Sequence, residues 1–363
     1  MKRFLLLWPA LLAAAGLETG AVKQTDGAAY FVNAYPVVAR LASGKMLVVW
    51  AATAKGDKAA RVVAALSTDG ARGWSGPQTL IQTAGMSDLD PNIVVDGKRV
   101  FVYSTTVALN MTRIDRSQVY MTQSDDEGAS WSKPVEIAMP FKYFVGKRHI
   151  GVKLIDGTLA MPFSWDLWAE KGIPARTEGE MNLASGVLLS RDGAHWTPFG
   201  AIHMWAEKRT PSSTGGVCEP ALVEFSNGEL LMILRTGTAF HYESRSRDGG
   251  LTWDAPRPSA LVGHNTPSAL WRLDQKPGEI IAIWNRSPIN RYPLSVAISA
   301  DGGRAWSVPR DVATSDGPQV SYPGITQTPD GTFVAVWQQQ LPEGGRDVRW
   351  ARFSRDWVMD QKP

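Results

Sequence analysis

The stretch Ser299-Ala300-Asp301-Gly302-Gly303-Arg304-Ala305-Trp306 decides the fold, because its pattern Ser-x-Asp-x-Gly-x-x-Trp recurs along the chain. The copies begin 57, 66, 56 and 53 residues apart. Three copies are complete, one has alanine in the glycine place and one is a residue shorter; they begin at Ser67, Ser124, Ser190, Ser246 and Ser299. A strand-rich repeat of this length predicts the blades of a β-propeller.

Each copy has the chemistry of a tight turn. The aspartate accepts backbone N–H bonds, the glycine permits a positive φ, and the tryptophan buries a large apolar surface beneath the turn. Apolar, strand-like runs precede the copies, for example at 61–66 and 294–298. We therefore interpret each copy as the turn between two strands of a blade, at the outer rim and without a catalytic role.

A second signal, a turn followed by an apolar run, occurs near residues 42–45, 96–98, 156–158, 227–229, 276–279 and 330–332. Five of these hairpins precede a Ser-x-Asp-x-Gly-x-x-Trp turn, and the last one has none after it. This order predicts an all-β, six-bladed propeller in one domain, residues 30–363, after a linker at residues 16–29. We expect the N-terminal segment to complete the last blade, which would remove a free sheet edge.

The composition narrows the possible partners. Of the 363 residues, 44% are hydrophobic, enough for a full core, and the formal net charge is +3. Without a basic run, this charge argues against a nucleic-acid partner. The single cysteine, Cys218, excludes an intrachain disulfide and is expected to be a buried apolar residue. We expect no cofactor and no metal, since neither a phosphate-binding glycine loop nor a zinc-ligand spacing occurs, and we expect a monomer.

The N-terminus has the pattern of a secretory signal peptide. Lys2 and Arg3 precede the apolar stretch 4–15, which ends in small residues and is too short to span a bilayer. We expect cleavage after Ala15 and export to the periplasm or the extracellular space, with no membrane insertion afterwards. A buried first strand or helix is the alternative interpretation.

The repeated turn resembles the Asp box, or BNR repeat, of the sialidase (neuraminidase) superfamily, and the resemblance covers nearly the whole mature chain. The second half also follows the sialidase order. In sialidases a glutamate starts an inner strand, an arginine ends its hairpin partner, a second arginine stands eight residues before a box, and a tyrosine opens the last blade. The matching positions here are Glu219, Arg235, Arg291 and Tyr322.

The resemblance implies a role for each of these residues. The planar guanidinium groups of Arg235 and Arg291 would hold the carboxylate of a sialic acid. Sialidases use a tyrosine nucleophile, so Tyr322 would attack the anomeric carbon while Glu219 takes its proton. The anomeric carbon of a sialic acid lies beside the carboxylate of the sugar. A neutral phenol is repelled less by this negative charge than a carboxylate nucleophile would be.

The first half departs from the sialidase pattern. Sialidases open with a Tyr-Arg-Ile-Pro-like strand, whose arginine is the first of three that bind the carboxylate. Here Ala34 stands in that place, and Arg40 lies too far along the strand to be a clean substitute. The missing arginine is therefore absent or replaced from elsewhere, with Lys55 and Arg148 as candidates.

The general acid of sialidases is an aspartate on the loop between the first hairpin and the first box. Asp57 lies on that loop, ten residues before Ser67. Asp88 and Asp90, at the start of the next blade, are the reserve candidates. A solvated loop aspartate is the plain structural interpretation of Asp57.

Two loops are longer than a blade needs, near residues 164–180 and 203–217, and both carry tryptophan. Long loops on a rigid scaffold often bind ligands, and indole rings can stack on sugars. We select Trp165 as a substrate-binding residue, and Trp168 and Trp205 are further candidates. Packing of these indoles against the rim is the alternative.

These features predict a secreted exo-glycosidase that removes a terminal sialic acid, or a related acidic sugar, from glycans with retention of configuration. Two alternatives stay open. One is a glycosidase or lyase for another acidic sugar, such as a uronate or a different ulosonic acid. The other is a carbohydrate-binding propeller without catalytic activity.

Overall fold

The computed structural model describes residues 16–109, 117–141, 144–145, 150–172, 180–205, 208–211, 213–314 and 318–360. These residues form an all-β fold, as the sequence predicts. The α-helices among them are short: α1 (Leu167–Glu170) and α2 (Arg355–Met359). The predicted signal peptide, residues 1–15, lies outside the described residues, and so does the candidate Arg148.

Antiparallel pairing divides the strands into consecutive groups, in which neighbours in sequence are neighbours in the sheet. The first group holds β2 (Val32–Arg40), β3 (Met46–Thr53), β4 (Ala60–Ser67) and β5 (Gln78–Ile81). The second holds β6 (Met86–Asp96), β7 (Arg99–Ala108), β8 (Gln118–Ser124) and β9 (Val135–Ile137). Each group is a four-stranded meander of the predicted kind.

The middle of the chain continues the pattern with one variation. The third group holds β10 (Phe144–Val145), β11 (Val152–Lys153), β12 (Leu159–Asp166), β13 (Asn182–Ser190) and β14 (Thr197–Ile202). The fourth holds β15 (Gly215–Glu224), β16 (Leu230–Thr236), β17 (Phe240–Ser246) and β18 (Arg257–Val262). In the third group β10 and β11 both pair with β12, so its first strand is interrupted.

The last two groups complete the chain. The fifth holds β19 (Ala269–Arg272), β20 (Ile280–Asn285), β21 (Leu294–Ser299) and β22 (Arg310–Ala313). The sixth holds β23 (Val320–Gln327), β24 (Phe333–Gln340), β25 (Arg346–Phe353) and, from the other end of the chain, β1 (Leu17–Lys23). The pairing of β1 with β25 confirms that the N-terminal segment completes the last group. The segment 16–29 is thus not a plain linker, because it contributes this strand.

The predicted turns form as expected. In every box the serine hydroxyl donates to the aspartate carboxylate at 2.7–3.1 Å and accepts the backbone N–H of the glycine place at 2.7–2.9 Å. The glycine place has a positive φ in each copy: Ala71, Gly128, Gly193, Gly250 and Gly303. Each box joins the third and fourth strands of its group, so the boxes lie away from the first strands.

The box tryptophans are half-buried and fasten the turns to apolar clusters. Trp131 of the second group packs on a cluster that contains Val49 of the first, and Trp253 of the fourth packs on one that contains Val187 of the third. Another cluster joins Trp50 of the first group to Trp350 of the last. The core therefore lies between neighbouring groups, and each group depends on the next for burial of its faces.

Candidate functional site

Four first strands carry the same distortion, a bulge at an X-Pro pair. The antiparallel register shifts between Ala34 and Val37, between Leu89 and Asn92, between Cys218 and Ala221, and between Ser321 and Gly324. A proline follows the left-handed residue of each bulge and is tolerated there because it has no N–H to give to the ladder. We call Tyr35, Asp90, Glu219 and Tyr322 the bulge residues.

The backbone of the bulge residues is strained. Their φ angles are 59° at Tyr35, 49° at Asp90, 44° at Glu219 and 56° at Tyr322. Residues with a side chain rarely adopt this region, and such strain concentrates at functional sites. Repetition of the strain at equivalent points of four strands indicates one site built from several groups.

Glu219 forms a buried ion pair with Arg235. The Arg235 Nη1 donates to Glu219 Oε2 at 2.8 Å, and the two side chains are 2% and 3% exposed. The register places Arg235 opposite Cys218, which is buried as predicted, so the bulge brings the next side chain back to the guanidinium. A buried carboxylate needs such a partner, because an unpaired charge in the interior is costly.

Asn265 links the two predicted arginines. Its side-chain oxygen accepts from Arg235 Nε at 3.2 Å and from Arg235 Nη2 at 2.9 Å, while its backbone oxygen accepts from Arg291 Nη2 at 2.8 Å. The Thr214 hydroxyl accepts a further bond from Arg235 Nη2 at 2.9 Å. Asn265 has a left-handed backbone, with φ 52°, which asparagine tolerates better than most residues. The sequence interpretation missed this residue.

Arg291 contacts the phenol of Tyr322. Its Nη1 donates to the Tyr322 hydroxyl at 3.1 Å, and its guanidinium carbon lies 5.3 Å from the centre of the ring. The ring of Tyr35 meets that of Tyr322 edge to face, with centroids 5.0 Å apart. The structure therefore brings together four of the predicted residues, Glu219, Arg235, Arg291 and Tyr322, and adds Asn265 and Tyr35.

The proposed acid Asp57 is fully exposed on the loop after β3. Its carboxylate accepts the backbone N–H groups of Ala59 at 3.0 Å and Lys58 at 2.6 Å, and these bonds hold the pKa of Asp57 below its usual range. β3 pairs Thr53 with Val32, so the loop leaves the sheet at the end where Tyr35 lies. None of the described hydrogen bonds joins Asp57 to the other candidates.

The reserve carboxylates differ from each other. Asp88 is buried and accepts from the Thr83 N–H, the Thr83 hydroxyl and the Thr106 hydroxyl, at 2.7, 3.0 and 2.6 Å. Those bonds explain Asp88 as a structural residue. Asp90 is a bulge residue and 9% exposed. Like the other bulge residues, it stands directly before a proline, Pro91.

The structure does not support Trp165 as a sugar-binding residue. The indole is 6% exposed and stacks on Phe141 and Phe163, with centroid distances of 4.7 and 5.1 Å. It belongs to the apolar core between the second and third groups. Trp165 lies on β12, whose residues are all buried, so these contacts favour the alternative, packing of the indole in the core.

The candidates for a third cation also have other contacts. Ala34 is buried at the start of the first bulge. The Lys55 Nζ lies over the Phe31 ring, 5.5 Å from its centre, and Arg40 bonds to Asp274 and to the Gln327 carbonyl at the other end of β2. None of the described contacts places Lys55 or Arg40 beside Arg235 or Arg291.

A separate cavity of about 210 Å³ opens where the first strands end. Arg40 and Lys153 line it, but Arg40 pairs with Asp274, and Lys153 pairs with Asp96 at 2.6 Å. Arg272 lines it as well, but none of the strained bulge residues does, and we therefore place the candidate site at the bulges instead.

The described part of the chain contains no group of three or more His, Cys, Asp or Glu side chains arranged to hold a metal ion. None of the helices found there is long and apolar enough to cross a membrane.

The fold is that of a β-propeller-like protein with Asp-box turns, and its site sets two arginines beside a glutamate and a tyrosine. The family model described as BNR repeat-like domain matches residues 44–336. The chain belongs to this family, and with it to the sialidase superfamily.

Individual relatives agree with this placement. The anhydrosialidase of Macrobdella decora is 30% identical over 275 residues, which are 67% of this chain and 33% of that protein. The sialidase of Bacteroides fragilis is 23% identical over 314 residues, covering 76% of this chain and 53% of that protein. The chain thus spans between a third and about half of the length of these curated relatives.

A solved structure shows the same fold at low identity. The intramolecular trans-sialidase from Ruminococcus gnavus superposes with a TM-score of 0.71 at 18% identity, over 94% of this chain and 99% of that one.

Proposed function

We propose that the protein is a retaining exo-glycosidase that removes sialic acid or a related acidic sugar from glycans. The observation that carries the proposal is the contact of Arg291 with the Tyr322 hydroxyl beside the buried Glu219–Arg235 pair. Membership in the sialidase superfamily supports the same chemistry. The curated relatives, named as a sialidase and an anhydrosialidase, point to sialic acid as the first substrate class to test.

In the proposed first step, the Tyr322 oxygen bonds to the anomeric carbon as the bond to the leaving oxygen breaks. Glu219 takes the phenol proton, and Asp57 protonates the leaving oxygen. Water then attacks the anomeric carbon and gives a proton to Asp57, while the glycosyl–tyrosine bond breaks and Glu219 returns its proton to the Tyr322 oxygen. Two displacements at one carbon retain its configuration.

Arg235 and Arg291 have different roles in this proposal. Arg235 is 2% exposed and donates to Glu219, Thr214 and Asn265, so it fixes the base and contributes positive charge. Arg291 is only half-buried and makes the direct contact with the substrate carboxylate. A guanidinium fork suits a carboxylate because it offers two parallel donors.

A second candidate substrate is favoured by Ala34. The alanine stands where sialidases place an arginine, and Tyr35 of the same bulge fills the neighbouring space against Tyr322. A pocket remodelled in this way suits another acidic sugar, such as a uronate or a different ulosonic acid. A propeller that only binds carbohydrate would keep the arginines and lose turnover.

We also infer that six blades close into a ring around the site. Hydrogen bonds between successive groups support this, such as Glu219 N–H to Ser164 Oγ at 3.0 Å and Asn285 Nδ2 to the Val320 carbonyl at 2.7 Å. The last and first groups are joined by the Tyr35 N–H, which donates to Gln338 Oε1 at 3.1 Å. A ring would bring the four bulge residues to one central mouth.

Export remains part of the proposal. The positively charged start and the apolar stretch 4–15 support cleavage after Ala15. N-terminal sequencing of the protein recovered from the periplasm and the medium tests this expectation. A protein that keeps Met1 and stays inside the cell contradicts it.

The decisive experiment is a screen on nitrophenyl glycosides of sialic acid, uronic acids and other acidic sugars. Tyr322→Phe should lower kcat by about three orders of magnitude or more, because a nucleophile and its base act as a unit. The matched control is Tyr242→Phe on β17, which removes a hydroxyl that none of the described hydrogen bonds involves and should retain activity. Equal turnover by wild type and Tyr322→Phe rejects the mechanism. Binding of the acidic sugar without any turnover favours the non-catalytic alternative.

A further inference from the structure

Charged residues end several first strands, at the end of the strands away from the bulge residues. β15 carries Glu219 in its middle and ends at Glu224, so the two residues lie on the order of 15 Å apart along the strand. The strands β2, β6, β11 and β19 also end in a charged residue, at Arg40, Asp96, Lys153 and Arg272. The cavity of about 210 Å³ lies among these strand ends and is therefore separate from the candidate site.

Two of the three cations that line the cavity already have carboxylate partners. Arg40 pairs with Asp274, and Lys153 pairs with Asp96 at 2.6 Å. Arg272 is half-buried, and none of the described hydrogen bonds or ion pairs involves its guanidinium group. A guanidinium carries five N–H donors in a planar fork. Arg272 is therefore the cation of the cavity whose donors are available to a ligand.

Glu224 supplies an acceptor to the same cavity. The side chain is 9% exposed, and its Oε2 accepts the Ile155 N–H at 2.7 Å, while none of the described hydrogen bonds involves Oε1. Burial raises the pKa of Glu224, and the Ile155 N–H and the charge of Arg272 lower it, so the guanidinium lies within electrostatic range of the carboxylate. The two side chains nevertheless form no direct ion pair in the described structure. A group that accepts from Arg272 and donates to Glu224 can therefore lie between them.

The rest of the cavity wall is mainly apolar. Between the charged strand ends, the cavity is lined by Val95, Val152, Leu222, Leu270 and Trp271. A cavity of about 150 Å³ with apolar walls can hold benzene, so this larger cavity has room for a body of that size and a few polar atoms. Ligand sites commonly combine such walls with a small number of placed polar groups.

Hydrogen bonds between neighbouring groups hold the wall in place. The Gly151 N–H donates to the Ile93 carbonyl at 2.8 Å, which joins the third group to the second. The Asp274 N–H donates to Gln327 Oε1 at 3.0 Å, which joins the fifth group to the sixth. The bond to Glu224 joins the third group to the fourth. A wall that is fixed before binding reduces the entropy that a ligand site must lose.

We propose that this cavity binds a small carboxylic acid that carries a hydroxyl or ammonium group next to the carboxylate and an apolar side chain. The ligand carboxylate accepts from Arg272, because the guanidinium fork matches two carboxylate oxygens. The hydroxyl or ammonium group donates to Glu224 Oε1, and the side chain contacts the apolar wall. Three cations and two carboxylates line the cavity, and this positive balance favours an acid over an amine. The inference does not depend on the proposed glycosidase activity.

The test is a calorimetric titration of the full protein with phenyllactate, phenylalanine and 3-phenylpropionate. Phenyllactate or phenylalanine should bind more tightly than 3-phenylpropionate, which has no donor for Glu224. The tighter of the two shows which donor Glu224 accepts. Arg272→Gln should raise the Kd by about tenfold or more, because a charge-assisted contact is lost. Arg247→Gln is the matched control, since Arg247 pairs with Asp254 at an Asp box, does not line the cavity and should leave the Kd unchanged.

Two more variants locate the bound acid, and melting temperatures check that each variant folds. Val152→Phe fills part of the cavity without a change of charge and should abolish binding. Arg291→Gln lies at the candidate site and should leave binding unchanged, so a loss of binding in Arg291→Gln alone assigns the acid to that site and overturns the proposal. It is equally overturned if wild type binds none of the acids, if Arg272→Gln binds as wild type does, or if 3-phenylpropionate binds as tightly as phenyllactate and phenylalanine.

Discussion

Asn265 is the residue on which the geometry of the site depends. It accepts from Arg235 through its side chain and from Arg291 through its backbone, so one residue sets the distance between two cations. Two guanidinium groups repel each other, and a shared acceptor between them offsets part of that repulsion. A neutral residue, Asn265, therefore holds the two positive charges of the candidate site in position.

Asn265→Asp should keep the hydrogen bonds but weaken the binding of an anionic substrate. The new carboxylate accepts the same donors, so the melting temperature should stay close to that of wild type. Its negative charge offsets the arginines, and we expect a rise in KM of about tenfold for an acidic glycoside. Steady-state kinetics at two salt concentrations measures this, and an unchanged KM contradicts the role of Asn265. Asn265→Ala should instead destabilise the fold by about 1–3 kcal/mol, because it leaves buried Arg235 donors unsatisfied.

The roles of Asp57 and Asp90 can be distinguished by how strongly the rate of each variant depends on the leaving group of the substrate. Asp57→Ala should lower kcat/KM on glycans by about 10²–10⁴-fold and much less on nitrophenyl glycosides, since only a poor leaving group needs the proton. Asp90→Asn should lower both rates similarly, because a bulge residue would contact the sugar itself. The opposite result would assign proton donation to Asp90.

The pH dependence provides another check on Asp57. Backbone N–H bonds, first that of Ala59, hold the pKa of Asp57 below its usual range. The protonated form that donates is therefore lost at a lower pH than for an ordinary aspartate. Activity on glycans should rise toward acid pH, and this limb of the pH profile should be absent in Asp57→Ala. A limb that persists in the variant would belong to another group.

At the scale of elements, the Asp box combines a hydrogen-bonded turn with a backbone conformation. The serine hydroxyl bridges the aspartate and the N–H of the glycine place, and the glycine place has a positive φ. The first box meets the same demand with Ala71, at φ 74°, and Ala71 is fully buried. Ala71 carries a Cβ in this unfavourable backbone conformation, whereas the other four copies have glycine and therefore no Cβ.

At the glycine place of the box, replacing alanine by glycine should raise the stability of the protein, and replacing glycine by alanine should lower it. Ala71→Gly relieves the left-handed strain and should stabilise the protein by up to about 1 kcal/mol, once the entropy of glycine in the unfolded chain is subtracted. Gly303→Ala should destabilise it, because φ is 86° and the added Cβ would come within 2.9 Å of Leu231 Cδ2. Denaturant unfolding measures both, and a destabilised Ala71→Gly variant would mean that its methyl group packs better than it strains.

At the scale of the whole molecule, the two ends of the chain share one sheet. β1 lies against β25, and Gly20 stands opposite Trp350, whose ring occupies the space that a side chain at residue 20 would need. An added Cβ would lie 2.6 Å from Trp350 Cζ2. Trp350 also belongs to the cluster shared with the first group, so this contact connects β1 to the junction between the first and last groups.

Gly20→Ala should therefore destabilise the protein by about 1–3 kcal/mol, the usual cost of overpacking. Gly76→Ala is the matched control, because no atom lies within 4 Å of its added Cβ. Calorimetric melting of both variants checks the expectation. Equal melting temperatures would show that β1 can detach without loss and that the last group is stable with three strands.

The site was predictable in part. Glu219, Arg235, Arg291 and Tyr322 follow a chain order that resembles sialidases, and the structure brings them together. Asn265 carries no such signal, since its role comes from bonds to residues 30 and 26 positions away. For Trp165 the contacts favour core packing over ligand binding, because a tryptophan in a strand can face either side, and the neighbouring sheet, not the local sequence, covers this one.

The sequence by itself determined the turns, the hairpins and their order. These depend on contacts within about eight residues, such as Ser299 to Asp301 and Gly303, and on the conformational freedom of glycine. Only the tertiary structure decided which residues of the N-terminal segment form its strand, 17–23, that Asn265 joins the arginines, and that Trp205 rather than Trp165 is exposed. Each of these depends on packing and hydrogen bonds between segments distant in sequence, which a local pattern does not encode.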